Sequence, residues 1–445
     1  MDASSHSGAA RTRPWRLAVI GAGPAGLALA LLAARRLPSA EISLFDARPA
    51  DKDVSGDPRT LALALGSVQL LRRLGAWPEA AAQPIREVLV SQAPPTLALD
   101  WLPGAVQLRA SDEGVEMLGA VLSYGTLVAC MQQAWQAAER AAPLRLHSRF
   151  GQPVVDVQNR GKASGLGGVQ VDAGIAESFD LAVVAEGGVF AGPAGRPTAA
   201  SAGQATPDNR ADLQLPQGGS WLSRTSRTRR IIHDYAQTAW VGTLTLDGGT
   251  PGLAVERFTR DGPLALLPLA PGPDGSARAA MVWCVNSQDD PVAPLSDAQR
   301  LAVLATLLPP AAGRPRAISP LKQFALGLSA EPTLVDGAIV RIGNAAQTLH
   351  PVAGQGLNLG LRDAAELVQA LRDATPIDLP ALLRRLEWAR GPDRWAMIAA
   401  TDFLARSFTW RWPGLPLARG LGLAALQSLP PLKSALARQM MFGRR

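Results

Sequence analysis

Residues 16–46 read RLAVIGAGPAGLALALLAARRLPSAEISLFD. Arg16 to Ile20 is a short aliphatic run of the kind that forms a strand. Three glycines then shape the turn: Gly21 leaves the strand tightly, Gly23 lets backbone approach a ligand, and Gly26 lets the next helix lie close to the sheet. Apolar residues carry that helix to Leu37, and Ile42 to Phe45 forms a second strand ending on Asp46, twenty residues after Gly26. A lone GxGxxG is weak evidence. Placed after a strand, at the start of a helix and ahead of an acid, it predicts a βαβ unit that holds a dinucleotide. The amides around Ala25 face the pyrophosphate, and Asp46 accepts from ribose hydroxyls.

That unit does not separate NAD from FAD; a second segment does. Residues 343–367, GNAAQTLHPVAGQGLNLGLRDAAEL, follow a strand-like run at Ile339 to Ile342. They start a helix at Gly354-Gln355-Gly356, which carries Leu357, Asn358 and Asp363. Helix N-terminal amides flanked by glycine suit the negative charge of a reduced flavin edge.

The segment closely resembles the second FAD-contacting motif of the p-hydroxybenzoate-hydroxylase superfamily. The run Gly343-Asn344-Ala345-Ala346-Gln347-Thr348-Leu349-His350-Pro351 is closer still to the ubiquinone-biosynthesis hydroxylases of the 2-polyprenyl-6-methoxyphenol hydroxylase type. Asp57-Pro58-Arg59 with Leu74-Gly75-Ala76-Trp77, Glu256-Arg257-Phe258 with the run from Gly262 to Pro268, and Leu429-Pro430-Pro431-Leu432-Lys433 extend the resemblance over nearly the whole chain.

The resemblance implies an FAD-dependent monooxygenase that uses NAD(P)H and O2, through a C4a-hydroperoxyflavin, to hydroxylate a polyprenylated phenol in ubiquinone biosynthesis. It implies that Gly21, Gly23, Ala25, Gly26 and Asp46 hold the ADP half, that Arg59 lies near phosphate or flavin, and that Gly343 and Asn344 meet the linker. Pro351, Gly354, Gln355, Gly356, Leu357 and Asn358 would surround the isoalloxazine, with His350 and Gln355 as the catalytic candidates. A histidine that only shapes the loop is the competing reading of His350. Where relatives carry Asp-Gly after the strand at residues 181–185, this chain has Glu186-Gly187-Gly188. That change leaves open a non-catalytic FAD-binding subunit of a ubiquinone-biosynthesis complex, and a hydroxylase of a small soluble aromatic is the third reading.

The expected fold class is α/β: a Rossmann-like FAD-binding domain, an inserted mainly antiparallel β-sheet substrate domain and a C-terminal helical region. The FAD-binding part takes residues 15–90, 120–188 and 330–378, the substrate part 91–119 and 220–329, and the helical region 379–445. Residues 1–14 read as a disordered leader and 189–219 as a flexible insertion. Helices are expected at Leu61 to Leu74 and at Tyr124 to Ala142, the latter capped by Ser123.

At 445 residues and 47% hydrophobic composition the chain can bury more than one core. Cys130 and Cys284 make neither a disulfide framework nor a metal site, which fits a reducing, cytoplasmic compartment. No metal is expected. The apolar runs at residues 17–34 and 117–138 are interrupted by Gly, Ser and Gln and are not read as membrane spans. The net charge of +7 comes without a nucleic-acid-binding signature. Arg406, Arg411, Arg419, Arg438, Arg444 and Arg445 are set instead among Trp, Leu and Pro near the C-terminus. That pattern fits peripheral contact with the inner membrane or a biosynthetic complex, or equally an ordinary helical cap; a homo-oligomer stays open.

Overall fold

A computed structural model describes residues 14–93, 104–160, 168–186, 230–407 and 415–443. The expected leader, except Pro14, and the expected insertion lie outside these residues, as do Arg411, Arg444 and Arg445. Arg16–Ile20 is the pivot of a six-stranded sheet. On one side it pairs in parallel with Glu41–Asp46 and then Leu146–Phe150, on the other with Leu181–Val184 and then Ile339–Arg341. The strand order reverses at this pivot, and sheets of this kind bind ligands at the carboxyl ends of the strands beside the reversal. Leu17 to Ile20 and Leu181 to Val184 are fully buried, as strands covered on both faces must be.

The helix Pro24–Arg36 is almost wholly buried because its Ala- and Leu-rich surface meets helices Tyr124–Ala141 and Gln355–Arg372. Proline sits at its start, where a missing N–H costs nothing. Ser123 caps Tyr124–Ala141 by accepting from the Thr126 amide, and Leu127, Val128, Met131 and Trp135 form the buried face. The expected helix over residues 61–74 begins only at Leu65. Thr60–Ala64 is a strand paired antiparallel with Gly119–Ser123, so tertiary pairing overrides the helix propensity of alternating Leu and Ala.

The larger sheet is antiparallel except where Glu87–Gln92 runs parallel to Leu253–Phe258. Its long strand Ile231–Asp247 pairs with Ala277–Asn286 and with Lys322–Ala330. One face is filled by Trp240, Leu244, Val255, Leu266, Met281 and Trp283 packed with Leu304 of helix Asp297–Leu307. Glu87–Gln92 belongs to this sheet although the sequence reading places residues up to 90 with the nucleotide-binding part. Helices Leu379–Ser407, Leu415–Ser428 and Pro430–Phe442 follow. Among the described residues no helix is long and apolar enough to cross a membrane.

Candidate active site

The first glycine turn is built by exclusion. Gly21 has φ +103°, and a Cβ there would meet the Glu186 backbone nitrogen at 2.7 Å. A Cβ on Gly26 would stand 1.9 Å from the Gly21 carbonyl oxygen. Gly23 is different: the nearest group to a Cβ there is the Tyr124 hydroxyl, at 3.7 Å, so the glycine leaves an open cradle. The helix it opens has no side-chain cap and no acid in its first turn, which leaves its amides and positive end to a phosphate. The residues therefore fit a dinucleotide.

The second motif packs directly on the first. A Cβ on Gly343 would lie 3.2 Å from the Ala25 side chain, and one on Gly360 would lie 2.8 Å from the Gly343 Cα. Ala25 and Gly343 thus act by being small, letting the two helix starts converge. Helix Gln355–Arg372 begins after Gly354, at φ +58°, again with no side-chain cap and no acid in its first turn. Nothing lies within 4 Å of a Cβ on Gly356, so this end is also open to an anionic edge. Leu357 is half-buried, while Asn344 and Pro351 are exposed.

Asp46 stands where expected, but its carboxylate is strongly engaged. Oδ2 accepts from the Ala22 amide at 2.7 Å and Oδ1 from the Arg48 amide at 2.8 Å, while the Arg48 guanidinium spans both oxygens. Burial opposes the charge, yet the Arg48 hydrogen bonds and charge outweigh it and hold the carboxyl below the usual range. Arg48 was legible only as a cation two residues beyond the acid. Glu186 is pushed the other way, up, by burial and then by the charge of Asp46. Arg59 pairs with Asp57 at 2.7 Å and lies 4.1 Å above the Tyr124 ring, on the same rim as Gly23. No sequence signal marked Tyr124 beyond its place at the start of a helix.

His350 does not have the surroundings of an acid/base group. It is 2% exposed, its Nδ1 accepts from the Val352 amide at 3.2 Å, and its Nε2 lies 3.0 Å from Gln237 Oε1, which fixes a neutral ring with the proton on Nε2. Burial lowers its pKa to about 4. The ring joins the loop before Pro351 to the strand Ile231–Asp247, where a bulge after Asp234, with Ala236 at φ +51°, precedes Gln237. Gln355 is buried, with Oε1 accepting from Arg362 at 3.4 Å. Asn358 bonds at four places: Oδ1 accepts from the Ala64 amide and the Ser67 hydroxyl, both at 2.8 Å, and Nδ2 donates to the Ala62 and Gly354 carbonyls. It locks the second helix to the strand Thr60–Ala64.

Asp363, noted in the sequence, belongs to a buried ionic network. Arg390 pairs with Asp363 at 2.8 Å and with Asp393 at 3.0 Å, Arg362 pairs with Asp393 at 3.2 Å, and Gln439 donates to Asp393 at 3.1 Å. Asp393 therefore ties together helices Gln355–Arg372, Leu379–Ser407 and Pro430–Phe442.

Between the second motif and the large sheet lies a cavity of about 330 Å³. Its walls are Val88, Val90, Leu108, Ala254 and Leu267 on the sheet side, and Pro351, Val352, Gly354, Gln355 and Asn358 on the motif side, with Leu118 from just before the strand Gly119–Ser123. Leu423, Leu426, Ala437, Met440 and Met441 of the last two helices close it. Nearly every lining group is apolar; Glu256, Phe258, Ala265 and Leu267 come from the two segments that carried the resemblance, whereas nothing in the sequence marked Val88, Val90, Leu108 or Ala254.

No protein-family model matches the chain. It is 38% identical over 212 residues to the ubiquinone hydroxylase UbiL of Rhodospirillum rubrum, a match covering 46% of this chain and 48% of that protein, so the chain spans about half the length of that relative. It is 26% identical over 436 residues to the 3-demethoxyubiquinol 3-hydroxylase of Escherichia coli, covering 95% of this chain and 97% of that protein. Its fold matches the crystal structure of Klebsiella pneumoniae HpxO complexed with FAD and uric acid, with a TM-score of 0.65 at 16% identity, over 96% of this chain and 97% of that one. By sequence the chain is similar to ubiquinone-biosynthesis hydroxylases, and its fold is similar to that of the FAD-bound HpxO structure.

Proposed function

We propose that the protein is an FAD-dependent monooxygenase that hydroxylates the aromatic ring of a polyprenylated phenol in ubiquinone biosynthesis, with NAD(P)H and O2 as co-substrates. The observation that carries this reading is the apolar cavity of about 330 Å³ beside the second glycine motif, sized and lined for a ring bearing a hydrocarbon tail. The two uncapped helix starts, at Gly23 and Gly354, supply the sites for pyrophosphate and for the flavin edge. When bound, FAD supplies the redox and oxygen chemistry. The chain's own part is positional: Gly23 admits the phosphates, Gly354 and Gly356 leave room for the ring system, and Asn358 and His350 hold the loop that carries Pro351. The apolar lining keeps water from the reacting centre.

In this reading residues 15–90, 120–188 and 330–378 form the FAD-binding part, except that Glu87–Gln92 goes with the large sheet, residues 91–119 and 220–329 form the substrate part, and 379–445 the C-terminal helical region. The last two helices expose Leu417, Leu421 and Leu432, and Leu429 is exposed between them, while Leu423, Leu426, Leu436, Ala437 and Met440 of the same helices line the cavity. An apolar outer surface continuous with an apolar interior favours a bilayer surface as the occupant, with the prenyl tail passing between the helices.

The test is direct. Purified protein reconstituted with FAD is given NAD(P)H, O2 and either a prenylated phenol or a small phenol, and products are weighed by mass spectrometry. Product one oxygen heavier from the prenylated phenol alone supports the reading. Turnover of the small phenol alone replaces it with the soluble-aromatic reading, and retained FAD without turnover of either replaces it with a non-catalytic subunit.

A further inference from the structure

Glu256 stands on the strand Leu253–Phe258 with Val90 beside it on one neighbouring strand and Ala265 on the other, and Val282 next in that row. All of these residues line the cavity. Among the described lining residues Glu256 is the only ionisable one. The cavity thus offers apolar contact almost everywhere and a carboxylate at one place. A carboxylate is an acceptor only, and its bonds from hydroxyl donors are short and strong.

We propose that Glu256 determines the orientation of the substrate: its carboxylate accepts the hydrogen bond of the phenolic hydroxyl. This sets which end of an amphipathic phenol enters first and which ring carbon is turned to the loop bearing Pro351. The tail then runs along the apolar remainder, where no side chain competes for it. The inference rests on the functional reading above, and names within it the residue that reads the phenol.

FAD-loaded wild type, Glu256→Leu and Glu256→Ala are titrated with a farnesylated phenol and with its O-methyl ether, and binding is followed by quenching of tryptophan fluorescence. The ether has the same ring and tail but no hydroxyl to donate. Wild type is expected to prefer the phenol by about tenfold or more, the effect of one hydrogen bond to a charged group. The Leu variant is expected to bind both ligands alike, at the wild-type affinity for the ether. Flavin absorbance at the wild-type ratio shows that a variant has folded; if the Leu variant loses it, the smaller Ala variant gives the same comparison. A variant that keeps the wild-type preference, or a wild type that binds both ligands equally, overturns the inference and leaves the functional reading standing. A wild type that binds neither ligand overturns both.

Discussion

Gly26 and Gly21 are pressed together so closely that a Cβ on the first would sit 1.9 Å from the carbonyl oxygen of the second. No rotamer relieves such a contact, because the backbone fixes the position of Cβ and the atom it meets is a backbone oxygen. Gly26→Ala is therefore expected to separate the helix Pro24–Arg36 from the sheet and to destabilise the fold by several kcal/mol, on the order of the larger single-residue effects. Chemical denaturation should show the midpoint fall.

Gly23→Ala tests the same loop with the opposite expectation. The added methyl meets no protein atom closer than the Tyr124 hydroxyl at 3.7 Å, so the denaturation midpoint should stay within about 0.5 kcal/mol of wild type. The methyl occupies the phosphate cradle, and FAD affinity should fall on the order of a hundredfold, read by flavin fluorescence on titration. Equal losses of stability in the two variants would mean that Gly23 is a packing residue.

Asn358→Ala removes the acceptor for the Ala64 amide and the Ser67 hydroxyl, both bonded at 2.8 Å. Leaving buried donors unmet costs about 1–3 kcal/mol. Denaturant unfolding should register that loss, and the apolar cavity should bind a hydrophobic probe more weakly because one of its walls loosens.

His350 gives the fold a pH dependence of known sign. Its folded pKa, about 4, lies below the ordinary 6.5, so the unfolded chain takes up the proton first as pH falls. Stability from this group is intact above about pH 6.5 and is lost as pH drops toward and through 4, by about 3 kcal/mol in all. His350→Gln should flatten this part of the stability profile, measured as denaturation midpoints between pH 7 and pH 4.

The glycine motifs were legible because they constrain backbone, and backbone constraint is written locally: Gly21, Gly23, Gly26, Gly354 and Gly356 all stand at helix starts or tight turns. For His350 the loop-shaping reading was available from the sequence, but its partner was not, since Gln237 lies over a hundred positions away and beyond a bulge. The strand Thr60–Ala64 misled for a related reason, because what makes it a strand is the partner at Gly119–Ser123. Arg390 and Asp393 stood out in no motif, yet they are buried and close the network around Asp363. Pairings across long stretches of chain leave no periodic trace.

The cavity draws its walls from Ala62 at one extreme of the sequence and Met441 at the other. No contiguous segment contains it, so it can close only after the distant parts of the chain have met, at the slow, non-local end of folding. A hydrophobic molecule that enters it binds the finished fold and not the open chain, and raises the folded population by mass action. In a cell the supply of such a molecule would thus govern how much of this protein survives as well as how fast it works.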